Sequence, residues 1–262
     1  MHSRTAKRRD RVPVQTVFKR YELKYMLSPG QKQAILAAMA PYMTLDRFGR
    51  TTIRNLYFDT DTFLLARRSI ERPVYKEKLR LRSYALAGTD SPVFVELKKK
   101  YDSVVYKRRC VLPQNLAMDW LLGHTPPPLD TQIGREIDYA LAFYQTLRPR
   151  VFLSYEREAY AMADGTDFRI TFDDTVLCRQ EQLSLCAEPW GAALLPPDRV
   201  LMEIKCSGGI PLWMVEALSR EKIYKTSYSK YGTAYQTMIC PQLMQGRTWH
   251  IKEEAYHAGA NF

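Results

Sequence analysis

The chain has few of the residues that usually announce a chemistry. Its five cysteines, Cys110, Cys178, Cys186, Cys206 and Cys240, are odd in number, scattered and nowhere form a CxxC pair. That spacing argues against a disulfide scaffold and for reduced thiols in a cytoplasmic protein. Histidine is scarce too: His2, His124, His250 and His257 fall toward loops and tails, which argues against a zinc site. No apolar run is long enough to span a bilayer, and the basic stretch Met1 to Arg11 lacks the apolar region of a secretory signal. There is no GxxxxGK[ST] loop, no GxGxxG fingerprint and no GxSxG elbow; Gly208-Gly209 reads as a turn. Acidic residues are in deficit, with 28 Asp+Glu against 39 Lys+Arg, for a net charge of +11. Such an excess predicts a polyanionic partner. The Lys7-Arg8-Arg9 cluster has no aromatic residue interleaved, so it reads as a solvated arm and not as a nucleic-acid contact.

What is present is strand. A length of 262 residues allows one large domain or two small ones. Alternation predicts strands over Val14 to Leu27, Thr51 to Asp59, Val74 to Ala85, Val93 to Tyr101, Ser103 to Leu112, Arg150 to Met162, Phe168 to Val176 and Val200 to Lys205. The second and third of the middle set form a hairpin at Asp102, and Asp164-Gly165 is a strong turn signal. Helical stripes lie between them. Ser28-Pro29 caps a helix carrying Ile35, Leu36, Met39 and Met43, which Pro41 ends or kinks. Shorter helices are expected over Phe63 to Ile70, around Trp120 and from Pro211 to Leu218, and a longer one carries Ile133, Ile137, Leu141 and Tyr144. Strands first and helices in clusters argue for an α+β fold with an antiparallel sheet. Residues 14–240 read as one domain, with 1–13 as a basic arm and 241–262 as a loosely attached tail.

The charge on those strands has a direction. Three short strings recur: Glu22-Leu23-Lys24, Glu96-Leu97-Lys98 and Glu203-Ile204-Lys205. Side chains two apart on a strand share a face, so Glu and Lys point one way and the apolar residue the other. Lys76, Lys78, Arg80 and Arg82 share one face, opposite Tyr75, Glu77, Leu79 and Leu81. Phe94, Glu96, Lys98 and Lys100 align, as do Lys107 with Arg109, Tyr155 with Arg157, and Arg169 with Thr171 and Asp173. For any one strand a wet outer face explains this pattern. Repeated over many strands, it describes a cationic cleft that contains a few carboxylates. Such a cleft suits a triphosphate with its metal ion, because cations neutralise phosphoryl oxygens and carboxylates hold Mg2+ or Mn2+.

The ordered set of strings resembles the VTC domain, the catalytic domain of vacuolar transporter chaperone polyphosphate polymerases in the triphosphate tunnel metalloenzyme superfamily. It comprises Phe18-Lys19-Arg20-Tyr21-Glu22-Leu23-Lys24-Tyr25, Arg80-Leu81-Arg82, Phe94-Val95-Glu96-Leu97-Lys98, Arg157, Arg169-Ile170-Thr171-Phe172-Asp173, Glu203-Ile204-Lys205 and Ser229-Lys230-Tyr231. The resemblance runs from about Val14 to Met238. It implies an antiparallel β-barrel tunnel of about eight strands with helices packed outside. It implies transfer of the terminal phosphoryl group of ATP to a growing polyphosphate chain, with Mg2+ or Mn2+. Lys24, Lys78, Arg80, Arg82, Lys98, Lys107, Arg157, Arg169, Lys205 and Lys230 would bind phosphate or nucleotide. Arg80, Arg82, Lys98, Glu203 and Lys230 would carry the reaction, and Glu203, Glu96 and Glu22 would hold the metal. Eukaryotic members have a further Lys where this chain has Ser227, with Lys225 close by. The regulatory and membrane segments of those members are not present, so a stand-alone bacterial form is expected, with a membrane-protein neighbour conceivable and no specific nucleic acid.

Two other functions remain open on the residues alone. One is a tunnel triphosphatase, in which Glu22 or Glu96 would activate water; Arg20, where the superfamily hydrolases tend to carry a first Glu, disfavours it. The other is a non-catalytic module binding polyphosphate or RNA, disfavoured by Glu96 and Glu203, which weaken anion binding unless a metal is present.

Overall fold

The computed structural model describes residues 21–71, 73–102 and 104–245. The basic arm, the expected start of the first strand at Val14 and the chain beyond 245 lie outside these residues. In chain order the elements are β1 (Tyr21–Leu27), α1 (Pro29–Met39), β2 (Met43–Leu45), β3 (Thr51–Asp59), α2 (Leu64–Glu71), β4 (Tyr75–Ser83), β5 (Pro92–Tyr101), β6 (Val104–Pro113), α3 (Gln114–Leu121) and α4 (Gln132–Tyr144). There follow β7 (Arg148–Met162), β8 (Phe168–Arg179), β9 (Ala192–Ala193), β10 (Val200–Cys206), α5 (Leu212–Arg220), β11 (Lys225–Thr226) and α6 (Lys230–Ala234). A π-helical turn at Tyr235–Ile239 then leads into helical residues 240–245, where a loose tail was expected.

Local chemistry explains the boundaries. Ser28 accepts from Gln31 N while the Gln31 side chain accepts from Ser28 N, a capping box with Pro29 in the first turn. The helix stops at Met39, before Pro41, and Met43 is a strand residue, not part of the helical stripe. The β5–β6 hairpin turns where expected, with Asp102 in the left-handed region at φ 40°. Gly165, at φ 82°, makes the turn between β7 and β8.

All strand pairs are antiparallel, and they form one sheet in the order β11-β1-β10-β8-β7-β3-β4-β5-β6, with β2 added on β7 and β9 on β8. This corrects two expectations. The sheet has eleven strands, because three very short ones carried no readable alternation. It is also not closed into a barrel: β11 and β6 are its two ends. The sheet is nonetheless strongly curled. Lys98 Nζ on β5 lies 3.0 Å from Glu22 Oε2 on β1, although five strands separate β1 from β5 along the sheet.

The apolar side of the strands is the outer, helix-covered side. Leu79, Leu81, Val95 and Leu97 pack with Trp120, Leu121 and Ile137 of α3 and α4. Ile170, Phe172, Met202 and Ile204 pack with Ile35 and Met39 of α1 and with Met214 and Ala217 of α5. Burying each such side chain contributes about 1.5–3 kcal/mol. The outer wall is therefore the hydrophobic core, and the concave side is left to the charges. One part of the concave side is not charged. Tyr231, Ala234 and Ile239, from α6 and the π turn, pack onto Tyr57, Val151, Leu153 and Cys178. This apolar cluster covers the middle of the concave side, over β3, β7 and β8.

Candidate functional site

Strands β4, β5 and β6 bring one face of cations to a single carboxylate. Glu96 is 1% exposed. It accepts from Arg80 Nε at 2.8 Å and from Arg109 Nε at 2.7 Å, and Lys107 Nζ lies 3.0 Å away. Arg82 stands at 3.9 Å. Burial alone would raise the pKa of Glu96; Arg80, Arg82, Lys107 and Arg109 outweigh it and hold the carboxyl far below its ordinary value. The two arginines are fixed on their other sides. Arg80 Nη1 donates to the Tyr57 hydroxyl at 2.8 Å, and Arg82 donates to Asn55 Oδ1 at 2.9 Å and to the Tyr155 hydroxyl at 3.2 Å.

A second buried carboxylate organises the neighbouring part of the concave side, on β7 and β8. Asp173 on β8 is fully buried. It takes two hydrogen bonds from Arg157 on the adjacent β7, at 2.6 and 2.7 Å, and one from Lys230 Nζ on α6 at 2.5 Å. Burial pushes its pKa up, and Lys230 and Arg157 more than reverse this. Lys230 also sits 4.3 Å from the centre of the Tyr155 ring. Although burial raises it, the Tyr155 phenol is drawn down to about 7 by Arg82, Arg157 and Lys230.

A third group is built mainly of lysines. Lys78 on β4 donates to Ser229 Oγ at 3.0 Å, and after burial the strongest influences on it are cations. Burial and the positive charges of Lys24, Lys98, Arg80 and Lys76 together hold its ammonium pKa well below the ordinary value. Lys24 on β1 donates to the Tyr228 carbonyl at 2.7 Å and is also lowered, burial acting first. Lys24, Lys76, Lys78, Lys98, Lys100 and Lys225, with the carboxylates Glu22 and Asp102, line a cavity of about 860 Å³ between β1 and the β4–β5 pair.

Glu203 faces the same side, opposite Lys24 on β1 and Thr171 on β8. Burial works against its charge; Lys205, Lys24, Arg157 and Lys230 bring it down to about 2. Its ion pair among the described residues is with Lys205 at 3.7 Å, longer than a hydrogen bond. The neighbouring Thr171 Oγ1 is buried without a hydrogen-bond partner. Among the described residues no three acidic, histidine or cysteine side chains gather into a metal cage. One or two carboxylates plus substrate phosphates is, however, the usual way to hold Mg2+. Glu203, ionised and not otherwise saturated, fits that mode. Glu96, engaged by three cations within 3.0 Å, has no oxygen left for a metal.

The expected residues are thus largely brought together. Lys24, Lys78, Arg80, Arg82, Lys98, Lys107, Arg157 and Lys230 converge on the concave side with Glu22, Glu96 and Glu203. Arg169, exposed opposite a half-buried Lys205, lies at the rim.

The model of the VTC domain family matches residues 19–239. The chain belongs to this family. Solved structures resemble this VTC domain at low sequence identity. A nominal adenylate cyclase from Bacillus halodurans aligns with a TM-score of 0.50 and 16% identity, over 79% of this chain and 92% of that one. A nominal adenylyl cyclase from Hippeastrum, described as having a dominant triphosphatase activity, aligns with a TM-score of 0.46 and 14% identity, over 82% and 94% of the two chains. No curated protein sequence matches the chain. In this VTC domain, sequence reasoning gave no role to Asp173, Arg109, Tyr57, Tyr155 or Ser229. The alternation of Arg169, Thr171 and Asp173 had already put Asp173 on the charged face; nothing local marks a tyrosine as the partner of a distant arginine.

Proposed function

We propose that this VTC domain is a polyphosphate polymerase. It transfers the terminal phosphoryl group of ATP to the end of a growing polyphosphate chain and releases ADP. The observation that carries this reading is the lysine group around Lys78: after burial the strongest influences on it are the cations Lys24, Lys98, Arg80 and Lys76, and lysines outnumber the carboxylates Glu22 and Asp102 in the cavity they line. Like charges held together cost free energy, and a polyanion removes that cost.

In the transfer, a terminal oxygen of the polyphosphate chain attacks the γ-phosphorus. The bond from that phosphorus to the β,γ-bridging oxygen breaks, and its electron pair leaves with ADP. The attacking oxygen is already ionised, so no protein nucleophile or strong base is required. The protein supplies position and charge. Arg80 and Arg82, fixed by Glu96, Tyr57 and Asn55, present guanidinium donors whose orientation does not depend on substrate. Lys24, Lys78 and Lys98 neutralise the phosphates beside them, and Arg157 and Lys230 those over β7 and β8. Glu203, with Glu22 nearby, would hold the divalent ion, Mg2+ or Mn2+, which would neutralise charge on the transferred group.

A triphosphatase is the second reading. It needs a base for water, and Glu22, paired with Lys98 and only partly shielded, is the carboxylate whose position favours it. Incubation with ATP and Mn2+ or Mg2+, followed by a gel stained for polyphosphate, separates the two. A ladder with ADP is the expected result. Free phosphate without a ladder would establish the hydrolase, and neither product would leave a polyanion-binding module.

A further inference from the structure

α6 is only five residues long, far too short to hold itself in place. Three consecutive residues at its start each reach a different strand. Ser229 Oγ accepts from Lys78 on β4, Lys230 donates to Asp173 on β8, and the Tyr231 hydroxyl donates to Asp59 Oδ2 on β3 at 2.6 Å. The third contact is unlike the first two, because neither Asp59 nor Tyr231 carries a free charge toward the cleft.

Asp59 is fully buried and accepts four hydrogen bonds. Three come from backbone N–H groups, of Thr60 at 2.8 Å, Leu65 at 2.9 Å and Ala66 at 2.9 Å, and the last two cap the first turn of α2. They would suffice for a helix cap. The fourth, from Tyr231, spans 172 positions of the chain. The Tyr231 ring stacks on Tyr57, with centroids 4.5 Å apart, and the Tyr57 hydroxyl accepts from Arg80. One stacked pair therefore links Tyr231, the residue next to Lys230, to the Arg80 guanidinium. Gly232 lets α6 come down this close: a Cβ there would lie 3.2 Å from the Ser229 side chain and 3.4 Å from Ile70 of α2.

We propose that Asp59 and Tyr231 are positioning residues: through the cap of α2 they lock α6 so that Ser229 and Lys230 stay at the phosphate-binding wall in register with Arg80. The inference rests on the phosphate-binding reading given above.

The test uses the full chain and inorganic tripolyphosphate as the probe, with binding followed by calorimetric titration and stability by thermal melting. Tyr231→Phe keeps the ring stack and removes only the hydroxyl. It should weaken binding about tenfold, the size of one well-placed hydrogen bond to a charged group. Thr60→Ala removes a different contact at the start of α2, its hydroxyl accepting from Leu64 N, and leaves Tyr231 alone. It should lower the melting temperature without changing affinity. Lys230→Ala should cost less in the Tyr231→Phe background than in the native chain, because a lysine already out of place has little left to lose. Equal binding by Tyr231→Phe and the native chain, or additive losses for the two substitutions, would overturn the clamp alone. A native chain that does not bind tripolyphosphate would overturn the phosphate-binding reading and the clamp with it.

Discussion

The two cationic groups on the concave face are built in opposite ways. Around Glu96 and Asp173 the arginines are bound before any substrate arrives, each carboxylate saturated by neighbours at 2.5–3.0 Å. Around Lys78 lysines predominate: Lys78 and Lys24 donate to hydroxyl and carbonyl oxygens, and the nearby carboxylates, Glu22 beside Lys98 and Glu203 opposite Lys24, are fewer than the cations. The first group is complete in itself and gives rigid geometry. The second is unfavourable alone and is relieved by an anion. A saturated charge network is thus weak evidence for a ligand, whereas a set of lysines that outnumbers its carboxylates is stronger evidence.

The contrast can be broken first at Glu96. Glu96→Gln strands Arg80, Lys107 and Arg109 without their counter-ion, and should cost about 3–5 kcal/mol of stability. Thermal melting should show a large fall, and added tripolyphosphate should recover more of it in the variant than in the native chain. Recovery no greater than the native shift would mean that the two groups do not share an anion.

Acid comes next. Glu203 is shifted down from 4.5 to about 2, so its stabilising contribution is complete above the ordinary value and is lost as pH falls through about 2. The melting temperature should drop steeply across that window, and Glu203→Gln should flatten the slope there.

Lys78→Met sharpens the comparison because its two effects have opposite signs. The melting temperature should hold or rise, since a crowded cation is gone, while affinity for tripolyphosphate should fall about 10- to 100-fold. The same residue sets a pH slope. Its folded pKa is depressed in the empty protein and restored by an anion, so binding takes up a proton. Affinity should fall as pH rises toward 10.5, and less so in Lys78→Met. The smallest effect belongs to the rim. Lys98 and Glu22 are 39% and 33% exposed, so Lys98→Ala should change stability by under about 1 kcal/mol.

How much of this could be read in the chain differs from residue to residue. The faces of β4 were legible: Lys78, Arg80 and Arg82 point inward and Leu79 and Leu81 outward, as a two-residue period requires. Glu77 broke the pattern without harm, buried with the leucines and satisfied by Tyr144 and Tyr75. The two-residue strands β9 and β11 were not legible, because so short a stretch cannot display a period. Nor was the apolar cluster on the concave side, since α6 and the π turn are apolar for reasons set by Tyr57, Val151 and Leu153 far away in the chain. Glu96 looked the same in sequence as Glu203, yet one is saturated by arginines and the other is not.

The amino-acid order alone decided which side of each strand would be charged, because backbone geometry forces neighbouring side chains to opposite faces wherever the strand ends up. It also decided the family, through strings that keep that alternation. Only the folded molecule decided which cations meet an acid and which meet one another. That depends on the curl of the sheet and the seat of α6, which bring Lys98 to Glu22 and Lys78 to Ser229 across 76 and 151 positions of chain. No local rule reaches that far.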